Sequence, residues 1–470
     1  MNIKFGTDGW RGVIGREFTF PNLRRVVQAV CDVMIPAGAR HVVVGYDNRF
    51  LARRFAEESC AVLLGNGLSV LLGERPHTTP AVSCQVVDAG AAFGLVLTAS
   101  HNAPEFHGLK IKTAAGASAD ETVTAAVEQQ LDQAPVRRLS PAEGIGLGRL
   151  EVRSFTHAHH ERLGAVADLP RIRAARLHVV VDSMHGTGER IVEKLLSGSS
   201  TRVETLRAGR DPLFGGQSPE PIRTRLGPLL QAVPRQGASL GFATDGDGDR
   251  VAAVDDAGNF LSPLRLGAVL ALHLIRCRQV PGGLAKTFAN TLYLDRIAAA
   301  EGRTLHTLPI GFKHIAALLE AGELALGGEE SGGIGFAGYL PERDGILAGL
   351  LLMEAVAMAG KPLSALVKQL TDEFGDYHYD RVDLQDSQGR LQESLHRLAE
   401  SPPDRLAGLT VQGVDRLDGT KLLFGERGWL LFRRSGTEPV LRIYAEANST
   451  GLLRRLLQEG IELLGAPGPG

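Results

Sequence analysis

The sequence predicts an α/β protein of several domains. Short β-branched runs alternate with longer segments of helical periodicity, and the alternation continues for several hundred residues. A chain of 470 residues also exceeds what one hydrophobic core organises, roughly three domains by length alone. His41–Tyr46 (HVVVGY) reads as a buried strand, and residues 52–64 then space their apolar side chains as a helix does. Residues 70–72 and Phe93–Leu97 supply the next two strands, and residues 177–182 (LHVVVD) another. A loop at 183–188 and a helix to Leu196 follow, and the strand Leu240–Thr244 runs directly into an acidic motif. Residues 347–359 are the most apolar stretch, interrupted by Glu354 and too short to span a bilayer, so they read as a buried core helix. Segments 135–148, 255–258 and 361–379 have the composition of boundaries. Beyond the last, about 90 residues of shorter elements form an α+β pattern.

Composition narrows the function. Hydrophobic residues make up 44% and charged residues 22%, with a formal net charge of −2 and no basic block. A nucleic-acid partner would call for a basic excess, so none is expected. The four cysteines (Cys31, Cys60, Cys84, Cys277) are widely spaced and expected to be reduced, buried and inert. The N-terminus lacks a basic region followed by an apolar one, so no leader and no membrane partner are expected, and the location is expected to be cytoplasmic.

Several motifs carry chemistry. Asp245-Gly-Asp247-Gly-Asp249-Arg250 follows a strand; three carboxylates brought together either raise their pKa values or share a cation. Gly246 and Gly248 let the backbone curl so that all three converge, and oxygen-only ligands favour Mg²⁺. An EF-hand loop fails, because its sixth-position Gly would be Arg250 and its twelfth-position Glu would be Asp256. A solvated acidic turn is the bland alternative. Thr98-Ala-Ser100-His101-Asn102 follows the strand Phe93–Leu97, at the carboxyl end where open α/β sheets bind ligands. Ser100 there is either a helix cap or a nucleophile, and G-x-S-x-G does not fit. Lys110 is either a phosphate-neutralising cation or a surface lysine. Arg433-Arg434-Ser435-Gly436-Thr437-Glu438-Pro439, between apolar runs 429–432 and 440–444, can cradle a phosphate or simply turn a hairpin. Gly327-Gly-Glu329-Glu330-Ser331-Gly-Gly333 suits sugar hydroxyls or an acidic surface turn. His157, His159 and His160 read as exposed helix surface. His185–Arg190 lacks the third glycine of a dinucleotide site.

In this order, FGTDGWRG (5–12), TASHN (98–102), DGDGDR (245–250), GEESGG (328–333) and RSGTEP (434–439) resemble the α-D-phosphohexomutase family of phosphoglucomutases and phosphomannomutases, over essentially the whole chain. The resemblance implies four domains around a central active-site cleft: three similar mixed-sheet α/β domains (1–150, 151–256, 257–370) and a smaller C-terminal α+β domain (371–470). It implies that Ser100 carries a phosphoryl group, that Asp245, Asp247 and Asp249 hold Mg²⁺ with an oxygen of phosphorylated Ser100, and that Arg11, His101, Lys110 and Arg250 lie near the transferring group. Gly311, Lys313, Glu329 and Ser331 would read the sugar, and Arg434, Ser435, Gly436 and Thr437 would clamp the non-reacting phosphate. The implied reaction interconverts hexose 1- and 6-phosphates through a hexose 1,6-bisphosphate, in a monomer or homodimer. Glucose phosphate is the favoured substrate, with mannose or glucosamine phosphates, or a Mg²⁺-dependent phosphatase, as alternatives. Lys110 and His101 are both candidates for acid and base, Lys110 favoured because an ammonium near phosphate can shuttle a proton while offsetting charge, and the C-terminal domain is expected to hinge. The chain departs from the family pattern at Ala103, where Pro is frequent, and at Gly333, where members accepting both glucose and mannose phosphates often carry His.

Overall fold

The computed structural model describes residues 3–6, 8–386, 391–434 and 440–465. Its main sheets are four. The first has six strands in the order Trp10–Val13, Phe106–Thr113, Phe93–Leu97, His41–Tyr46, Ser69–Gly73 and Leu150–Arg153. The second has five: Phe260–Leu261, Val251–Asp255, Leu240–Thr244, His178–Asp182 and Arg202–Leu206. The third has four: Leu305–Leu308, Gly283–Thr287, Leu324–Gly328 and Ile334–Phe336. These three are mixed, with a parallel centre and antiparallel pairing at one edge. The fourth (His378–Gln385, Val440–Ala447, Gly428–Arg434, Thr420–Leu423, Gly413–Asp415) is antiparallel throughout.

One topological feature positions the chemistry. In each sheet a central strand runs out, makes a loop, and returns antiparallel beside itself. Phe93–Leu97 returns as Phe106–Thr113, Leu240–Thr244 as Val251–Asp255, Leu324–Gly328 as Ile334–Phe336, and Gly428–Arg434 as Val440–Ala447. The four connections are the segments that contain TASHN, DGDGDR, GEESGG and RSGTEP. TASHN, DGDGDR and GEESGG, far apart in sequence, thus occupy one structural place in three sheets, and Arg434 ends the corresponding strand of the fourth.

The apolar helix forms as expected, over Gly345–Ala359. It has no polar face because it is enclosed between the second and third sheets, sharing their core with Phe242, Val251, Leu284 and Leu326. A Cβ at Gly349 would lie 2.3 Å from the Phe242 ring, so glycine sets how closely helix and strand approach. Glu354 is buried within it and satisfied: His273 Nε2 lies 2.9 Å away, and the Asp168 backbone N–H donates to it at 2.7 Å. Among the described residues no single helix is long and apolar enough to cross a membrane.

Residues 135–148 pack on the first domain: the Leu139 N–H donates to Ala61 O at 2.9 Å, and a short helix, Pro141–Gly146, packs Gly144 on Leu64. Two expectations are corrected. Cys277 is exposed, while Cys31, Cys60 and Cys84 are buried. The three histidines divide by helix phase: His157 is exposed and His160 half-buried, whereas His159 is buried with Nε2 2.7 Å from Asp344. Asp344 in turn caps the Gly345–Ala359 helix by accepting from the Ile346 and Leu347 N–H groups.

Candidate active site

Ser100 sits just past the strand Phe93–Leu97, 1% exposed and with φ 51, a left-handed conformation that costs a non-glycine residue about 1–2 kcal/mol. Two groups hold it there. The Thr98 hydroxyl accepts from the Ser100 N–H at 2.9 Å and donates to Asp47 at 2.6 Å. Arg49, wholly buried, donates to the carbonyls of Ser100 and Asn102 at 2.6 Å and to those of Ala103 and Phe106 at 2.9 Å. One guanidinium therefore grips the whole loop, including Ala103. Its charge is met by Asp47 at 3.2 Å and by the Phe214 ring of the second domain at 5.0 Å.

The acidic loop presses on the serine loop. A Cβ at Gly246 would lie 2.6 Å from the Ser100 carbonyl oxygen, and Gly248 has φ 75, so both glycines are required for contact and curl. Asp245, Asp247 and Asp249 are buried, each offering an oxygen within 4.8 Å of the others. The Ser100 hydroxyl donates to Asp245 Oδ2 at 2.7 Å, and His101 Nδ1 lies 3.3 Å from the same Oγ. Lys110 is buried, contrary to a surface role: its Nζ reaches Asp8 and Asp249 at 2.8 Å and Asp247 at 2.9 Å. Thr79 donates to Asp247 Oδ2 at 2.6 Å. Burial, then repulsion from Asp247 and Asp249, pushes Asp245 well above the carboxylate range. Burial acts the same way on Asp247, but Lys110 and the Thr79 hydroxyl outweigh it and hold it low. Oδ1 of Asp247 and Oδ1 of Asp249 are buried without a hydrogen-bond partner among the described residues. Unpaired carboxylate oxygens on an all-oxygen donor set fit a divalent cation.

The other expected residues fall around this centre. Arg11 donates to Asn102 Oδ1 at 2.5 Å, and Arg250 lies 3.9 Å from Glu220. Burial, then Arg250 and Arg11, holds the His101 imidazole well below its usual pKa. Glu329 is 8% exposed and accepts from Arg343 at 3.1 Å; Ser331 is half-buried. Gly311 has φ 134 and heads the helix Phe312–Glu320, from which Lys313 pairs with Glu121 of the first domain. Arg434 ends its strand and donates to Gln392 at 3.0 Å. Ser435, Gly436 and Thr437 lie outside the described residues. A cavity of about 710 Å³ opens between Glu220–Thr224, Phe260–Arg265 and the strand His378–Gln385, and reaches Glu330 and Ser331. It does not include Ser100 or the aspartates; Glu220 on its wall, paired with Arg250, is the link to them.

Sequence reasoning missed four contributors: Asp8, Arg49, Thr79 and Arg343. Asp8 lay inside a motif already quoted. Arg49 had a signal in Asp47-Asn-Arg49, charged residues directly after a buried strand. Arg343 had one in Glu342-Arg343-Asp344, three charges abutting the most apolar helix.

Family models of phosphoglucomutase/phosphomannomutase match along the chain: α/β/α domain I over residues 2–137, domain II over 157–258, domain III over 263–374 and the C-terminal domain over 391–463. A phosphoglucomutase/phosphomannomutase of Thermococcus kodakarensis is 31% identical over 467 residues, covering 99% of both chains. A phosphoglucosamine mutase of Rhodococcus opacus is 30% identical over 464 residues, covering 98% of each. The crystal structure of a candidate phosphomannomutase from Thermus thermophilus superposes with a TM-score of 0.88 at 38% identity, covering 99% of this chain and 100% of that one. With all four domains matched in order and relatives aligned end to end, the chain belongs to the phosphoglucomutase/phosphomannomutase family of phosphohexomutases, which are intramolecular phosphotransferases.

Proposed function

We propose that this enzyme interconverts the 1- and 6-phosphates of a hexose, glucose phosphate first, through a phosphorylated Ser100. The observation that carries the reading is Ser100 Oγ, 2.7 Å from Asp245 in a buried acidic loop and 3.3 Å from His101. In the first half-reaction the bond between phosphorus and Ser100 Oγ breaks as a bond to the substrate hydroxyl forms. In the second, the bisphosphate, turned end for end, returns its other phosphoryl to Ser100. Asp245, Asp247 and Asp249 would hold Mg²⁺, which when bound supplies positive charge to the transferring oxygens. Phosphoryl transfer rests mainly on positioning and on charge stabilisation. Arg11, Lys110 and Arg250 add fixed positive charge. All three carboxylate contacts of Lys110 are to Asp8, Asp247 and Asp249, so its ammonium is directed at the acidic loop, while His101 Nδ1 is near enough to Ser100 Oγ to exchange a proton. Glu329 and Ser331 take sugar hydroxyls. Arg434, with Ser435, Gly436 and Thr437, takes the distal phosphate.

A second reading, phosphoglucosamine mutase, is favoured by the Rhodococcus relative. A coupled assay across glucose, mannose and glucosamine 1-phosphates, primed with bisphosphate and Mg²⁺ and repeated with Ser100→Ala, separates the readings. The expected result is greatest turnover with glucose 1-phosphate and a loss of orders of magnitude in the variant. Inorganic phosphate released without hexose 6-phosphate would make the enzyme a phosphatase instead.

A further inference from the structure

Arg343 is the point where the site's separate loops meet. It stands just before the Gly345–Ala359 helix and is 4% exposed. Its Nη2 donates to Asp8 Oδ2 and to Asp249 Oδ2, both at 2.7 Å, and its Nη1 donates to Glu329 Oε2 at 3.1 Å. Glu342 Oε1 lies 3.7 Å from Nε, and the guanidinium covers the Phe312 ring at 5.4 Å, next to Gly311. One planar fork thus joins the N-terminal motif, the acidic loop, the sugar loop and the start of the Phe312–Glu320 helix. A lysine here would keep the charge but lose the planar fork whose two nitrogens divide the partners, Nη1 taking Glu329 and Nη2 taking Asp8 with Asp249.

The space for this fork explains the glycine at position 333. A Cβ at Gly333 would lie 2.3 Å from Arg343 Cδ and 2.9 Å from Glu329 Oε2. The Arg343 stem runs through the volume that any side chain at position 333 would fill. The same sugar loop is tied to the acidic loop by backbone: the Val251 N–H donates to Gly332 O at 3.1 Å, and a Cβ at Gly332 would lie 2.6 Å from Val251 O. Glu329 Oε2 is committed to Arg343, and Oε1 carries no hydrogen bond among the described residues, which leaves one oxygen for a ligand.

We propose that Arg343 is the positioning residue that fixes the Glu329 carboxylate for one sugar hydroxyl and holds it as a unit with Asp249, and that Gly333 is the residue that admits Arg343. The proposal rests on the mutase reading for the role of Glu329. A rigid carboxylate reads the position of one hydroxyl, and coupling it to the acidic loop ties sugar placement to phosphoryl transfer.

The test is a double-mutant cycle on kcat/KM for glucose 1-phosphate with wild type, Arg343→Lys, Glu329→Gln and the double variant, each checked for native thermal unfolding. Arg343→Lys is expected to lower kcat/KM by about 10- to 100-fold. Glu329→Gln is expected to cost about tenfold or more in the wild type but under about threefold in the Arg343→Lys background, because the carboxylate is already mispositioned there. Additive losses overturn the proposal, since a residue that merely supports the fold would not change the effect of Glu329. Should Arg343→Lys fail to fold, Arg343→Gln, which keeps a planar polar group but removes the charge and the fork, replaces it in the cycle. Crystal structures supply a readout independent of activity: in the folded Arg343 variant Glu329 is expected to leave its present orientation, and an unmoved Glu329 overturns the proposal; in Gly333→Ala Arg343 is expected to be displaced, and an unmoved Arg343 overturns the role given to Gly333. Failure of the mutase reading is distinguishable, because it would show as absent turnover in the wild type.

Discussion

Truncating Arg49 to alanine tests how the serine loop is held. The change removes the only charge-bearing partner of four carbonyls at 2.6–2.9 Å and leaves Asp47 buried beside no cation within ion-pair reach among the described residues. Four such carbonyls cost about 1 kcal/mol each even if water enters the space. An uncompensated buried carboxylate adds about 3–5 kcal/mol, the usual consequence of breaking a buried pair by removing one partner. The expected loss, at least about 5 kcal/mol, is comparable with the whole stability of an ordinary domain. The chain has two tryptophans, and Trp10, 3% exposed and stacked on Phe18 at 4.6 Å, reports on the first sheet once Trp429 is replaced by Phe. In urea titrations followed by Trp10 fluorescence, Arg49→Ala should lose its folded baseline or unfold far earlier. Arg49→Lys keeps a charge for Asp47 but not the fork, and should fall between. A shift under about 1 kcal/mol for Arg49→Ala would refute the reasoning, because the four hydrogen bonds would then be carrying no stability.

Two further outcomes depend on pH. Burial, then Glu330, lifts the Glu329 carboxyl to about 7 despite Arg343, so it is protonated below that pH and less able to accept from a hydroxyl. kcat/KM should therefore rise through about pH 7, and Glu329→Gln should remove that inflection while leaving the one from the substrate phosphate near about pH 6; an inflection near 7 surviving the substitution would exclude Glu329 as its source. Lys421, 5% exposed between the third and fourth domains, donates to Phe288 O at 2.7 Å and lies 4.1 Å from the Trp429 ring centre; burial, then Lys286, lowers it from 10.5 to about 7. Between those values the unfolded chain binds a proton that the folded chain does not, so stability rises with pH across that window, by about 5 kcal/mol at most. Lys421→Met should flatten that slope in urea titrations followed by Trp429, and an unchanged slope would place the titration elsewhere.

The strands were legible because buried parallel strands are nearly continuous β-branched runs, and His41–Tyr46, Phe93–Leu97 and Leu240–Thr244 form as read. The acidic loop was legible because glycine between carboxylates has few structural uses. What could not be read was long-range pairing. Lys110 in isolation is indistinguishable from a surface lysine, and only the fold brings Asp8, Asp247 and Asp249 around it. Arg343 and Asp8 stand 335 residues apart, and nothing local marks them as partners. His159 was read as surface because nothing near it in sequence has metal-ligand spacing, yet its side chain falls on the buried face of the helix Thr156–Val166. The Gly333 departure is visible in sequence, but its reason, the Arg343 stem filling the space beside it, comes from a residue ten positions on and from the fold.

The central claim is that Ser100 Oγ takes up and gives back a phosphoryl group beside the three aspartates. Incubating the protein and Mg²⁺ with radiolabelled hexose 1,6-bisphosphate, then mapping the label by peptide mass spectrometry, tests it directly. Label should reside on Ser100 and chase into added hexose phosphate as bisphosphate. Label found on any other residue, or hexose phosphate interconversion at the wild-type rate by folded Ser100→Ala, would contradict the claim.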